Sequence, residues 1–385
     1  MSSNATATSG GNCADRRVKM ASRRPAEPHL DNLTLSRKEG WKACTEAPKR
    51  IAPELLTKSH IRRLSEAAAD IYKQRREDWP NNLGPLKTPQ LAALHEDLWD
   101  ILDSNAQDGD HAKGAVALDG YPGLGKSTAV EAFAKEFHRR EIRRHGEFTQ
   151  VGDERWPVCR IGMRGNTSMR DFNRAMCEFY GHPGWRGSTE ELGRRALDYV
   201  LKCETRLLII DDLHFLHWQN KGGIEISNNF KYIVNDFPIT LVSIGIGLIE
   251  RGVLMDASYD ELLAQTSRRT TVLTMEPYLI KTESQRRDWR TLLTTIEQRL
   301  VLGDKRIGML AEDLSDYLYE RSTGHIGSLM DLIRRGCVRA IRTGKETLNR
   351  QLLDTIKIDS AAEKARKELA AAFRTRKLTT KLTAS

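Results

Sequence analysis

The stretch Gly120–Thr128, GYPGLGKST, decides the fold class of this 385-residue chain. It matches the pattern G-x4-G-K-[ST], in which Gly120 and Gly125 are the glycines and Lys126 and Ser127 are the final pair. An apolar segment, GAVALD, precedes it, and a segment with apolar residues at helical spacing follows it. This order of strand, loop and helix predicts a phosphate-binding loop, with backbone N–H groups and a helix N-terminus facing the phosphates.

All nine residues of the loop are candidate nucleotide-binding residues. They are Gly120, Tyr121, Pro122, Gly123, Leu124, Gly125, Lys126, Ser127 and Thr128. In loops of this kind the lysine reaches the β- and γ-phosphates, and the hydroxyl of the next residue coordinates Mg²⁺. We therefore expect Lys126 to bind phosphate and Ser127 to be a Mg²⁺ ligand.

A second motif, RLLIIDDLHFL, supplies two carboxylates. Four apolar residues, 207–210, predict a central strand that places Asp211 and Asp212 at its carboxyl end. Asp211 is the expected Mg²⁺ carboxylate, bound directly or in the second sphere, and Asp212 occupies the position of a base that polarises the attacking water. A buried strand that simply ends in an Asp cap is the alternative interpretation.

Two segments further along the chain carry additional candidate residues. FPITLVSIGIG predicts another buried strand, and Ser243 is its best candidate for a polar side chain between the carboxylates and the γ-phosphate; a small core residue is the alternative. ELLAQTSRRTTVL places Arg268 and Arg269 between a helix and a short strand. An arginine there is suited to act as a finger in trans on a neighbouring subunit's γ-phosphate, and a pair of surface arginines is the alternative.

The order of the apolar segments predicts an α/β fold. Strands alternate with helices from residue 114, which indicates right-handed crossovers and a parallel sheet flanked by helices, and after about residue 280 only helical patterns follow. The predicted domains are a disordered basic arm (1–50), N-terminal helices (51–110), an α/β nucleotide-binding core (111–280), a small all-helical lid domain (281–360) and a basic tail (361–385).

Charge and composition indicate which partners and which kinds of site this chain can have. The formal net charge is +9, and the basic excess lies in residues 1–50 and 361–385. These two segments are either flexible arms that bind phosphates or solvated tails that bind nothing. The six cysteines are scattered, which argues against a zinc site and a disulfide scaffold. No apolar run approaches the roughly 20 residues that cross a bilayer, so we expect a cytoplasmic protein without a membrane partner.

Taken together, these motifs resemble those of AAA+ ATPases. The chain is similar, more narrowly, to transposition ATPases of the TniB/TnsC/IstB type. The resemblance covers roughly residues 80–350 and rests on TPQLAALHEDLWDIL, GYPGLGKST, RLLIIDDLHFL, FPITLVSIGIG, QTSRR and LSDYLYERSTGHIGSLMDLIRRGCVRAIRTG. The last of these segments, with its STGHIG, favours the TniB type.

The resemblance implies a P-loop AAA+ core with ATP and Mg²⁺ as its cofactors. It implies a homo-oligomer, a ring or a filament, that assembles on duplex DNA and presents target sites to a DDE-type transposase. ATP binding would join subunits through Arg268 or Arg269, and hydrolysis would take the assembly apart. Many members of the family have Glu in place of Asp212, so we expect ATPase activity with slow turnover.

Three other functions fit parts of the sequence. A signalling NTPase of the STAND type also has paired Asp residues, but usually carries long repeat arrays, whereas only about 100 residues follow this core. A replication initiator of the DnaA type or a helicase loader of the DnaC type is closely related in its core, but usually carries a duplex-reading domain. A small-molecule kinase is disfavoured by the paired arginines ahead of a helical lid.

Two segments are candidate DNA contacts. The run HRREIRRHG, residues 138–146, contains four arginines within six positions, and a solvated helix end is its alternative interpretation. The segment KGGIEISNNFK, residues 221–231, follows the acidic motif. We expect DNA binding that tolerates different sequences and depends strongly on salt, because phosphate contacts carry no sequence information.

Overall fold

A computed structural model describes most of the chain. The described residues are 33–107, 113–163, 167–182, 186–213, 233, 237–248, 269–375 and 377–382. They divide into two compact units: a core unit, His29–Ala47 with Lys87–Glu276, and a helical unit that includes Pro48–Leu86 and Pro277–Ser385. Within these residues, no helix is both long enough and apolar enough to cross a bilayer.

The core unit is an α/β structure. Its elements in chain order are α1 (Lys38–Glu46), α4 (Pro89–Ser104), β1 (Ala115–Asp119), α5 (Lys126–His145), β2 (Val158–Gly162), α6 (Met169–Phe179), α7 (Thr189–Lys202), β3 (Leu207–Asp211), β4 (Thr240–Ile244) and β5 (Thr270–Thr274). The chain between α1 and α4 forms two helices that belong to the helical unit. The strands form one sheet in the order β2-β3-β4-β1-β5, and every neighbouring pair is parallel.

Local sequence explains why these segments form their elements. Every residue of β1, β3 and β4 is buried, as expected for central strands covered on both faces. Helix α5 buries Val130, Phe133, Ala134 and Phe137, the stripe at helical spacing, and Gly146 is its C-cap. Helices α6 and α7 each begin with a capping box. The predicted α/β class with a parallel sheet is confirmed.

Helix α1 lies in the segment for which the sequence predicts a disordered arm. Its side chain Trp41 is completely buried, and the indole Nε1 donates a hydrogen bond to Nδ1 of His138 at 3.2 Å. Burial lowers the pKa of His138 to about 4, so this imidazole accepts the bond in its neutral form. A buried aromatic side chain therefore anchors a short polar helix that has no long apolar stripe.

The helical unit contains the remaining elements. They are α2 (Lys58–Ile61), α3 (Glu66–Asn81), α8 (Glu283–Arg299), a π-helical turn (Met309–Asp313), α9 (Ser315–Ser322), α10 (Ile326–Arg342), α11 (Arg350–Leu353) and α12 (Ser360–Arg374). Helix α3 packs on α10, and a buried ion pair joins Arg76 of α3 to Glu346 at 2.5 Å. The predicted helical region after residue 280 is confirmed, and α3 adds to it from an earlier part of the chain. Helix α12 lies in the predicted basic tail and packs on α9.

Candidate functional site

The phosphate-binding loop joins the carboxyl end of β1 to the amino end of α5. Its backbone takes positive φ at Gly120 (+151°), Gly123 (+76°) and Gly125 (+83°). Side chains are disfavoured at such angles, and a Cβ on Gly120 would also lie 2.5 Å from the carbonyl oxygen of Met275. The first and last glycines of the motif are therefore required by the path of the backbone, as the sequence pattern implies.

Lys126 lies inside the loop. Its side chain is buried, and Nζ donates hydrogen bonds to the carbonyl oxygens of Gly120 at 2.6 Å and Tyr121 at 2.8 Å. Burial lowers the pKa of Lys126, while the carboxylates of Asp119, Asp211 and Asp212 act in the opposite direction. An ammonium held in a glycine-rich loop by neutral carbonyls can exchange those acceptors for the charged oxygens of a phosphate.

Ser127 and Asp211 meet at the carboxyl edge of the sheet. Ser127 Oγ donates a hydrogen bond to Asp211 Oδ1 at 3.0 Å, and the backbone N–H of Asp212 donates to the same oxygen at 3.0 Å. Asp211 is buried at the last position of β3. A hydroxyl and a carboxylate in contact supply the hard oxygen ligands that Mg²⁺ requires, so these two residues fit that ion.

Asp212 is the first residue beyond β3. It is exposed, and its φ of +60° turns the chain away from the strand directly after Asp211. Two adjacent carboxylates thus have different surroundings: Asp211 is buried and bonded to Ser127, whereas Asp212 faces outward at the same edge of the sheet. The second carboxylate is in a position to contact solvent or a bound substrate.

Ser243 lies beside the acidic strand and just short of its end. It is the fourth residue of β4, is buried, and is in register with Ile210 of β3 and Ala117 of β1. Ile210 comes one position before Asp211, the last residue of β3. Ala117 comes two positions before Asp119, the last residue of β1. The structure places Ser243 between the strand that carries the acidic pair and the strand that leads into the loop.

Only one residue of the predicted arginine pair is described, because Arg268 lies outside the described residues. Arg269 is exposed and directly precedes β5, and its carbonyl oxygen accepts a hydrogen bond from Ala115 N at 2.8 Å. Since β5 and β1 are parallel, Arg269 lies at the amino edge of the sheet, opposite to the phosphate-binding loop of its own chain. The second DNA candidate, residues 221–231, also lies outside the described residues.

A basic residue that the sequence reasoning missed contacts the site. Arg160 on β2 places Nη2 2.9 Å from Oδ2 of Asp211 and 2.9 Å from Oε1 of Glu131 on α5. Burial raises the pKa of Glu131, and the charge of Arg160 opposes that effect. Arg160 thus neutralises two carboxylates in one cluster. The available signal was an arginine within the apolar strand PVCRIGM, but the sequence does not reveal its partners.

We predict that Arg160→Gln weakens the acidic strand locally. Removing one partner of a largely buried charge cluster leaves uncompensated carboxylates, which costs about 3 kcal/mol. Hydrogen exchange of the β3 amides measures the corresponding fall in local opening free energy. Arg174→Gln is the matched control, because Arg174 also contacts two carboxylates, Asp171 and Glu178, but on a half-buried helix face that is more open to solvent than the Arg160 cluster, where ion pairs contribute about 1 kcal/mol.

A double variant separates the charge effect from lost packing. If Arg160 acts by neutralising Asp211, adding Asp211→Asn to Arg160→Gln removes part of the imbalance, and the two changes show a coupling of about 1 kcal/mol or more. Equal losses in the Arg160→Gln and Arg174→Gln variants, or fully additive losses in the double variant, would contradict this role.

The arginine run at the end of α5 is largely engaged within the core unit. Arg140 contacts Asp103 at 3.0 Å and lies 4.0 Å above the ring of Trp99, and Arg139 donates to the carbonyl oxygen of Thr45 at 2.6 Å. The buried carboxylate of Glu141 lies within 4.0 Å of side-chain nitrogen atoms of three arginines and one histidine. These are Arg140, Arg144, His145 and Arg206. Much of this positive charge is therefore neutralised internally.

Comparison with known proteins agrees with this architecture. The family described as AAA domain matches residues 109–251. The chain is similar to Orc1 of Aeropyrum pernix, solved in complex with DNA, with 18% identity and a TM-score of 0.50 over 77% of this chain and 70% of that one. It is also similar to Cdc6p of Pyrobaculum aerophilum, with 14% identity and a TM-score of 0.49 over 75% and 82% of the two chains.

No curated protein matches the chain in sequence. The matched residues 109–251 begin just before β1, include the phosphate-binding loop and the acidic strand, and extend past β4. The similarity to Orc1 concerns the fold. The core of this chain is therefore a P-loop AAA+ domain, followed by a helical region.

Proposed function

We propose that this chain is an ATP-dependent AAA+ protein that oligomerises on duplex DNA and presents target sites to a DDE-type transposase. The observation that carries the nucleotide part is the convergence of Lys126, Ser127 and Asp211 at the carboxyl edge of one parallel sheet. Ligands of open α/β sheets bind at this edge. The transposition part rests on the resemblance of the sequence motifs, including the lid segment.

The loop and the acidic strand have separate roles in this proposal. Backbone N–H groups within residues 120–128, other than Pro122, bind the phosphates, and Lys126 exchanges its two carbonyl partners for phosphate oxygens. Ser127 and Asp211 would hold Mg²⁺, and the ion would offset the negative charge of the transferred phosphoryl group. Asp212 accepts a hydrogen bond from the attacking water, and its exposed position leaves that side accessible.

The remaining site residues respond to the γ-phosphate. We assign Ser243 to sensing it, from a strand next to the one that carries Asp211. Arg269 lies at the opposite edge of the sheet from its own loop, which favours contact with the nucleotide of a neighbouring subunit, and Arg268 shares this assignment from its adjacent position. ATP would then join subunits, and hydrolysis would release them.

A replication initiator or another DNA-remodelling ATPase is the second candidate. The similarity of the fold to Orc1, whose solved structure is a complex with DNA, favours it. Both candidates share the nucleotide site and a DNA partner. They differ in sequence preference, because an initiator reads a particular duplex whereas the transposition protein is expected to tolerate different sequences.

Electron microscopy of the full chain with long duplex DNA tests the proposal. Three conditions are compared at moderate salt: no nucleotide, ATP, and a non-hydrolysable analogue. We expect rings or filaments on DNA only with nucleotide, and on duplexes of unrelated sequence alike. Bare DNA in all three conditions, with nucleotide binding confirmed separately, would contradict the assembly role. Assembly restricted to one duplex sequence would favour the initiator.

A further inference from the structure

The helical unit carries a groove lined by positive side chains. The groove has a volume of about 590 Å³ and lies between helix α10 and the segment that follows α11. Arg335, Arg339 and Arg342 line one side, and Lys357 lines the other. None of these residues belongs to the nucleotide site or to the candidate DNA segments 138–146 and 221–231.

Two of the arginines are fixed in place by backbone carbonyls. Arg335 Nη1 donates to the carbonyl oxygen of Lys357 at 2.6 Å, and Arg339 Nη1 donates to the carbonyl oxygen of Thr355 at 2.8 Å and to its Oγ1 at 2.7 Å. A guanidinium has five N–H donors, so each retains others for a ligand. The groove therefore presents positive groups whose orientation is set before a ligand arrives.

The positive charge of the groove is poorly neutralised. Among the ion pairs of the described residues, only Asp331, which pairs with Arg335 at 3.2 Å, reaches the groove. Arg342 and Lys357 are both exposed. The arginine run on α5 is different, because internal carboxylates and an aromatic face occupy much of it. A groove that keeps a net positive charge attracts an anion.

The spacing of the cations indicates a chain of anions rather than a single one. Arg335, Arg339 and Arg342 follow one another at intervals of four and three residues, on one face of α10. At 1.5 Å per residue they extend over roughly 10 Å. Over that length, one strand of duplex DNA presents about three phosphates, at 3.4 Å each along the axis.

We propose that this groove binds the phosphate backbone of duplex DNA. The proposal rests on the proposed function, in which duplex DNA is the partner, and assigns a contact surface that neither the motifs nor the family comparison indicates. Arg339, Arg342 and Lys357 form the contacts, and Arg335 supports them through its bond to the carbonyl of Lys357. Contacts of this kind position the duplex without reading its sequence.

The salt dependence of DNA binding by the full chain tests the groove. The probe is a fluorescent 20-base-pair duplex, titrated with a non-hydrolysable ATP analogue present, between 0.05 and 0.3 M salt. The slope of log K against log salt is negative, and each lost phosphate contact reduces its magnitude by about 0.9. We expect the triple variant Arg339→Gln, Arg342→Gln, Lys357→Gln to reduce the magnitude of this slope by about 2 to 3.

A control variant removes the same charge elsewhere in the helical unit. Lys281→Gln, Arg287→Gln and Arg306→Gln replace three exposed cations that do not line the groove, and the slope should stay at the wild-type value. Arg339→Lys keeps the charge and should also keep the slope. A binding curve for the ATP analogue, unchanged in every variant, shows that the nucleotide site is intact.

The possible outcomes separate this proposal from the proposed function. If the wild-type chain binds the duplex and the groove and control variants change its slope equally, the groove is not the contact surface and DNA binding stands. If the groove variant loses affinity for inorganic phosphate or ATP but keeps its slope on DNA, the groove binds a free anion and the proposal is wrong. If the wild-type chain binds no duplex at any salt concentration, both the DNA partner and the groove assignment are overturned.

Discussion

Replacing Lys126 with alanine is expected to lower the affinity for ATP by roughly 100-fold or more. The ammonium is the only side-chain cation that the structure places within the loop, among the described residues, and its partners there are two neutral carbonyl oxygens. Hydrogen bonds to charged groups contribute about 1.5–3 kcal/mol each. Loss of two such bonds to phosphate accounts for the expected change, because 1.4 kcal/mol corresponds to a factor of ten.

The fold should tolerate this substitution. The path of the loop depends mainly on glycines at positive φ and on Leu124, which is buried, and Lys126 adds two hydrogen bonds to it. Titration with a fluorescent ATP analogue measures the affinity, and hydrogen exchange of the α5 amides checks the local structure. Lys202→Ala, at an exposed site in the last turn of α7, is the control and should bind as the wild type does.

The same variant tests whether nucleotide and assembly are linked. If ATP binding joins subunits, Lys126→Ala should form no assemblies on DNA under any nucleotide condition, whereas Lys202→Ala should assemble normally. Binding of the ATP analogue within threefold of the wild type would contradict the assignment of Lys126. Normal assembly by a variant that no longer binds ATP would separate the DNA role from the nucleotide site.

The sequence predicted those features that depend on neighbouring residues. The loop, the buried strands and the stripe of α5 are local patterns. In such patterns a particular type of residue at a fixed spacing, such as glycine in the loop or an apolar residue at helical spacing, is enough to predict the structure. The short helix around Trp41 was missed because its polar sequence has no extended stripe. Its contacts with the rest of the core unit involve residues far away in the sequence, among them His138 and Arg139.

Features that depend on distant residues could not be predicted. The sequence shows Arg160 only as an arginine within a strand. Its contact with Asp211 arises because β2 pairs with β3 in the sheet. The groove requires residues of α10 and residue 357 to face each other, which no local pattern indicates. Likewise, the position of Arg269 at the amino edge of the sheet depends on the pairing of β5 with β1.

The two carboxylates of the acidic motif differ in a way that bears on mechanism. Asp211 is buried and bonded to Ser127, so its replacement should disturb the proposed Mg²⁺ site and the cluster around Arg160. Asp212 is exposed and touches the cluster through its backbone N–H. A change restricted to the side chain of Asp212 can therefore separate hydrolysis from binding.

Asp212→Asn is expected to reduce ATP turnover by about 100-fold or more while ATP binding is retained. A positioned base contributes about 10²- to 10⁴-fold to a rate, and an amide lacks the charge that polarises water. The backbone should not change, because Asn is one of the few residues that adopt the left-handed region readily, and Asp212 has a φ of +60°. Phosphate release measures turnover, and analogue titration measures binding.

The variant should also arrest the assembly cycle. Because binding persists and hydrolysis does not, Asp212→Asn should form assemblies on DNA with ATP that remain long after wild-type assemblies have dispersed. Asp198→Asn, at an exposed position of α7, is the control and should behave as the wild type in turnover and in disassembly. Turnover within threefold of the wild type would refute the role of Asp212 as the base. Loss of ATP binding in the same variant would instead place Asp212 among the binding residues, and hydrolysis would need another base at this edge of the sheet.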